Sequence, residues 1–75
     1  MEITNALDAK KAAIEYLLDE GEILDFRPLD FRHIQLKSGL WVVQATTSFH
    51  AGKMLFNLEI NSQDGKVIKF DKKEL

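Results

Sequence analysis

The sequence predicts an α+β domain, one N-terminal helix packed on a meandering antiparallel sheet of three to four strands. Three observations carry that expectation. Apolar residues recur at helical spacing in the first twenty positions, then alternate with polar ones in several later runs, and glycine-containing turns separate those runs. At 75 residues, the chain is read as a single domain spanning 1–75. A chain of this size buries only about 60% of its unfolded surface, so its core must be economical.

The helix is expected within "ITNALDAKKAAIEYLLDEG", Ile3 to Gly21. Thr4 or Asn5 can accept hydrogen bonds from the unpaired amides of the first turn, and Asp8 adds favourable negative charge there. At 100° per residue, Ala6, Leu7, Ala13, Ile14, Leu17 and Leu18 form one stripe, flanked by Ala9, Ala12 and Tyr16. Lys10 falls within the stripe, and its methylenes can lie across apolar surface while its amine reaches outward. Gly21 stands where a left-handed C-terminal cap is needed.

The following segment, "EILDFRPLDFRHIQLK", is less regular. Pro28 separates the similar tetrads Leu24-Asp25-Phe26-Arg27 and Leu29-Asp30-Phe31-Arg32, too short a duplication for a repeat architecture. Ile23 to Phe26 reads as a short extended lead-in, and Asp30 to Lys37 as a strand. Phe31, Ile34 and Leu36 can share one face of that strand only if a bulge falls near Arg32-His33.

Three further strands follow. In "GLWVVQATTSF", Trp41, Val43, Ala45, Thr47 and Phe49 share one face, and Val42, Gln44, Thr46 and Ser48 the other. In "MLFNLEIN", Phe56, Leu58 and Ile60 oppose Leu55, Asn57, Glu59 and Asn61. In "KVIKFD", Ile68 and Phe70 are expected inward, with Val67, Lys69 and Asp71 outward. Lys37-Ser38-Gly39, His50-Ala51-Gly52-Lys53 and Ser62-Gln63-Asp64-Gly65 supply the connections. The expected core is Trp41, Phe49, Phe56, Leu58, Ile60, Ile68 and Phe70 against Ile14, Leu17 and Leu18.

Composition excludes several function classes. The net charge of −2 argues against nucleic acid as a partner, which requires a cationic face. The lysines at 66, 69, 72 and 73 read as a solvated surface and tail. No cysteine is present, which removes disulfides, thiolate nucleophiles and zinc–thiolate sites. No run approaches the length of a membrane span, and Met1 to Thr4 lack the basic, apolar opening of a signal peptide. A cytoplasmic location without membrane attachment is the corresponding expectation.

Catalytic chemistry finds no constellation. His33 and His50 have no metal-ligand spacing, and the serines at 38, 48 and 62 have no nucleophile-elbow context. Asp64-Gly65-Lys66 connects strand to strand, whereas phosphate cradles usually present a helix N-terminus. The expectation is a non-enzyme with no metal and no cofactor. Candidate partner-binding residues are those of the outer sheet face: Val42, Gln44, Thr46, Leu55, Asn57 and Val67. A flat, mildly apolar face of this kind can dock another protein, or a second copy of the chain as a homodimer; an open edge strand offers a second route.

The order "IT…A…A", "GLWVVQATTS" and "LFNLEINSQDGKVI" resembles the PepSY-domain family. Trp41 and Val43 match its aromatic-x-Val strand, Leu58, Ile60 and Asn61 its penultimate strand, and Gly65, Lys66 and Val67 its turn exit. Asn61 stands where the family usually carries aspartate, and Leu24 to Lys37 have no clear counterpart. The resemblance implies a noncatalytic, cystatin-like α+β module of the kind found in protease propeptides, with a regulatory or peptidase-inhibitory role. Members of the family are often exported, unlike the expectation drawn from this chain's first residues.

Overall fold

The computed structural model describes residues 2–23, 29–49 and 52–75. They form one helix, α1 (Ala6–Asp19), and four strands, β1 (Asp30–Lys37), β2 (Leu40–Phe49), β3 (Gly52–Asn61) and β4 (Val67–Glu74). The strands pair antiparallel in the order β1-β2-β3-β4, a pure meander in which every connection joins neighbours. The α+β expectation therefore holds, with four strands.

Local chemistry fixes both ends of α1. Asn5 is the N-cap: its Oδ1 accepts from the Asp8 amide at 2.9 Å. At the other end Gly21 takes φ +74°, which only glycine adopts at low cost. This lets the Gly21 and Glu22 amides donate to the carbonyls of Leu18 and Leu17, a Schellman closure. The β1–β2 hairpin turns on Ser38 and Gly39, both with positive φ (51° and 80°). That geometry matches the strand twist of a two-residue turn.

The helix lies over the inner face of the sheet. Ala9, Ala13 and Leu17 are fully buried, and the two small alanines let the helix backbone come close to the strands. Opposite them, Trp41, Val43 and Ala45 of β2 and Phe56, Leu58 and Ile60 of β3 complete the core. Register sets the rows: Trp41 faces Ile60, Val43 faces Leu58, and Ala45 faces Phe56. Two isoleucines outside the regular elements join them: Ile3 and Ile23, each 6% exposed, close the two ends of the helix. Ile3 is held by its amide donating to the Ser62 carbonyl, while its own carbonyl accepts the Trp41 Nε1–H at 3.0 Å. Ile23 lies in a bend and packs into the core. The remainder of the expected lead-in, Leu24 to Phe26, lies outside the described residues.

Two bulges set the phase of the edge strands. In β1, Phe31 pairs with Ala45 and His33 with Gln44, leaving Arg32 as the extra residue. The expected bulge is therefore present, and Phe31 and Ile34 pack against the core. Leu36 lies opposite Trp41 on the same inner side but is 52% exposed.

In β4, Val67 pairs with Ile60 and Lys69 with Glu59, so Ile68 is extra. This corrects the sequence reading. Val67 is an inner-face residue packed on the core, and Ile68 is 57% exposed. The strict alternation assumed through Lys66 to Asp71 breaks at the bulge, and Phe70 regains the inner face opposite Leu58.

Two other core expectations change. Leu18 is 40% exposed, beyond the line of Ala9, Ala13 and Leu17, and Phe49 is only half-buried. The C-terminal lysines are not a tail: β4 continues to Glu74 because Lys72, Lys73 and Glu74 pair with Phe56, Leu55 and Met54. Lys72 turns toward the helix side, where its Nζ meets the Glu22 carboxylate at 2.9 Å.

Candidate functional site

The outer face of the sheet is built by the same alternation that fills the core. Across β2 and β3, Gln44 sits opposite Asn57 and Thr46 opposite Leu55, with Val42 beside Gln44 on the same face and opposite Glu59. Five of the six expected site residues, Val42, Gln44, Thr46, Leu55 and Asn57, thus form one contiguous patch at the centre of the sheet. Each is half-buried, as expected for side chains standing shoulder to shoulder on a flat sheet. Val67 does not belong to the patch, because the β4 bulge turns it inward.

Charged side chains frame this neutral centre. Arg32 and Lys37 lie on the β1 side, Lys69, Asp71 and Lys73 on the β4 side, and Lys53 beyond Thr46 and Leu55. Arg32 pairs with Asp30 at 3.1 Å, and Lys69 lies 3.9 Å from Glu59. These are exposed contacts of the kind that contribute at most about 1 kcal/mol each. On this face Arg32, Lys37, Lys53, Lys69 and Lys73 outnumber Asp30, Glu59 and Asp71, although the whole chain carries −2. Register opposite Ser48, Glu59 and Leu55 places Lys53, Lys69 and Lys73 on this face. Arg32 joins the rim through the β1 bulge.

Two shallow depressions mark the face. One, of about 240 Å³, is lined by Val42, Asn57, Glu59, Lys69 and Asp71. The other, of about 290 Å³, is lined by Arg32, Gln44, Thr46, Lys53 and Leu55 together with Leu75. Neither encloses a small molecule as a cofactor cleft does; together they give low relief to a broad surface.

Both sheet edges are poorly suited to adding a partner strand. Each edge strand carries a bulge, at Arg32 in β1 and at Ile68 in β4, and each presents charged side chains along its length. Bulges and edge lysines are devices that proteins use against edge-to-edge pairing.

Among the described residues no three His, Asp or Glu side chains converge as a metal-ligand set. The His33 ring nitrogen lies 3.0 Å from the Gln35 side-chain oxygen, on the exposed edge. His50 lies outside the described residues. In the β3–β4 turn the polar atoms serve the backbone: Asn61 Oδ1 accepts from the Gln63 amide at 2.8 Å, and Asp64 Oδ1 from the Lys66 amide at 2.9 Å. With Gly65 at φ +75°, Asp64-Gly65-Lys66 is a turn whose Gly65 and Lys66 amides donate within it, to the Asn61 carbonyl and the Asp64 side chain, not a phosphate cradle. An apolar cavity of about 220 Å³ opens at the far end of the core between Ile23, Phe49, Met54 and Phe56, with Glu22 the one titratable side chain lining it among the described residues.

No helix among the described residues is long and apolar enough to cross a membrane. No protein-family model, curated protein or solved structure matches the chain.

Proposed function

We propose that the protein is a small noncatalytic binding module that docks another protein on the outer face of its sheet. One observation carries this reading: a neutral patch of Val42, Gln44, Thr46, Leu55 and Asn57 ringed by charge. Uncharged centres with polar rims are the usual anatomy of protein–protein interfaces. The excess of cations in the rim fits a partner with an acidic perimeter, since complementary charge steers encounter and fixes orientation. A regulatory or inhibitory action on a peptidase is the role that the PepSY-like segment pattern suggests for such a module.

The test compares affinity capture by the wild-type domain, by Thr46→Lys and Leu55→Glu, and by the helix variant Asp19→Asn. Support is one protein retained by wild type and Asp19→Asn and lost from both outer-face variants. A partner retained by all four, or none retained by any, sinks the reading. Peptidase inhibition assays on the captured partner then decide the regulatory role.

A further inference from the structure

The solvent side of α1 carries large aliphatic side chains that the core does not use. Leu7 is 60% exposed and Leu18 40% exposed, both large aliphatics. Ile14, half-buried, lies between them and touches the core with only part of its surface. At 100° per residue, Leu7, Lys11, Ile14 and Leu18 fall on one narrow ridge, about 130° around the helix from the centre of the buried line. The ridge spans about 16 Å at 1.5 Å per residue.

The spacing along this ridge is four, three, four. That pattern is the seam of a coiled coil, and it is also a palindrome about the point between Ala12 and Ala13. A second copy of α1 running antiparallel across a two-fold axis at that point meets itself in register. Leu7 then faces Leu18 of the other copy, and Ile14 faces Lys11. Lys11 covers the facing isoleucine with its methylenes and projects its amine along the flank where Glu15 of the other copy stands. Lys11 and Glu15 are both exposed. Asp8, on the same flank, is engaged by the Asn5 side-chain amide at 3.3 Å, so Glu15 of the other copy is the anion left for Lys11.

We infer that a second copy of this chain occupies the exposed ridge, giving a two-fold symmetric dimer through antiparallel α1 helices. This interface is distinct from the outer sheet face, and its existence does not depend on the binding function proposed for that face. Two such ridges make a contact below standard interface size, which places the association in the weak class.

Sedimentation equilibrium from about 10 µM to about 1 mM tests this, a range that covers weak association. The wild-type mass should rise from 8.6 kDa toward twice that value. Leu7→Glu should weaken association at least about tenfold, a change of about 1.4 kcal/mol, without harming the fold, since a carboxylate in the first helical turn is favourable. Lys11→Glu and Glu15→Lys should each weaken it, and the double reversal should restore it; circular dichroism confirms the helix in every variant. A strict monomer at all concentrations overturns the inference. So does association that survives Leu7→Glu but is lost in Leu55→Glu, which would place the contact on the sheet.

Discussion

Replacing Phe56 by alanine probes the centre of the architecture. Phe56 is 1% exposed, faces Ala45 on β2, and lies against Phe70 with ring centroids 6.0 Å apart. Phe70 in turn contacts Tyr16 of the helix at 5.4 Å, so one side chain links both central strands, the β4 edge and α1. Burying and then removing a phenyl group in such a site costs about 3–5 kcal/mol, from lost transfer energy and the cavity left behind. A 75-residue domain has a total stability of only about 4–11 kcal/mol. Phe56→Ala therefore removes roughly half of it, and the thermal midpoint should fall by roughly 12–40 °C. Urea unfolding followed by circular dichroism gives the free energy directly, and the slope should stay unchanged if only the native state is affected. A double-mutant cycle with Phe70→Ala should show a coupling of about 0.5–1.5 kcal/mol from the ring pair. A loss below about 1 kcal/mol for Phe56→Ala at constant slope would refute the placement of Phe56 at the core.

Two other predictions concern features that packing or hydrogen bonding makes specific. Val67→Asp should destabilise by about 2 kcal/mol or more, because it drives a carboxylate against the core, while Ile68→Asp should stay within about 0.5 kcal/mol. The opposite order in chemical denaturation would remove the β4 bulge. Trp41→Phe should cost about 1–3 kcal/mol, since the Ile3 carbonyl then loses the indole donor inside the core. Retention of wild-type stability, with fast amide exchange at Ile3 in the wild type, would show that the N-terminal segment is not anchored there.

Much of the fold is legible in the sequence because local and global signals agree. Asn5 and Gly21 mark the ends of α1 by their capping chemistry, and Ser38-Gly39 marks the tightest hairpin by its need for positive φ. The β1 bulge is legible because Phe31, Ile34 and Leu36 cannot otherwise share a face. The β4 bulge is not, since Val67 and Ile68 are adjacent, similar in hydropathy, and equally able to face inward. Only pairing with Ile60 and Glu59 decides between them. Ile3 and Ile23 escape a periodicity reading because they lie outside the repeating elements and are buried by tertiary contacts. The strand character of Lys72 to Glu74 is likewise imposed by the partner strand, against a composition that reads as solvated tail.

The candidate site divides in the same way. Val42, Gln44, Thr46, Leu55 and Asn57 follow from simple alternation in two unbroken central strands, where every second residue must leave the core. Val67 fails because the alternation is interrupted. The cationic rim becomes visible once register places Lys53, Lys69 and Lys73 beside that patch and the bulge adds Arg32.

The claim that the outer sheet face is the binding surface is tested most directly by mapping contacts on the isotopically labelled domain. The captured partner is titrated in while backbone amide resonances are followed. Shifts or broadening should concentrate at Val42, Gln44, Thr46, Leu55 and Asn57 and fade toward α1. Perturbations confined to α1 or to the edge amides of β1 or β4, with the central patch unmoved, would contradict it.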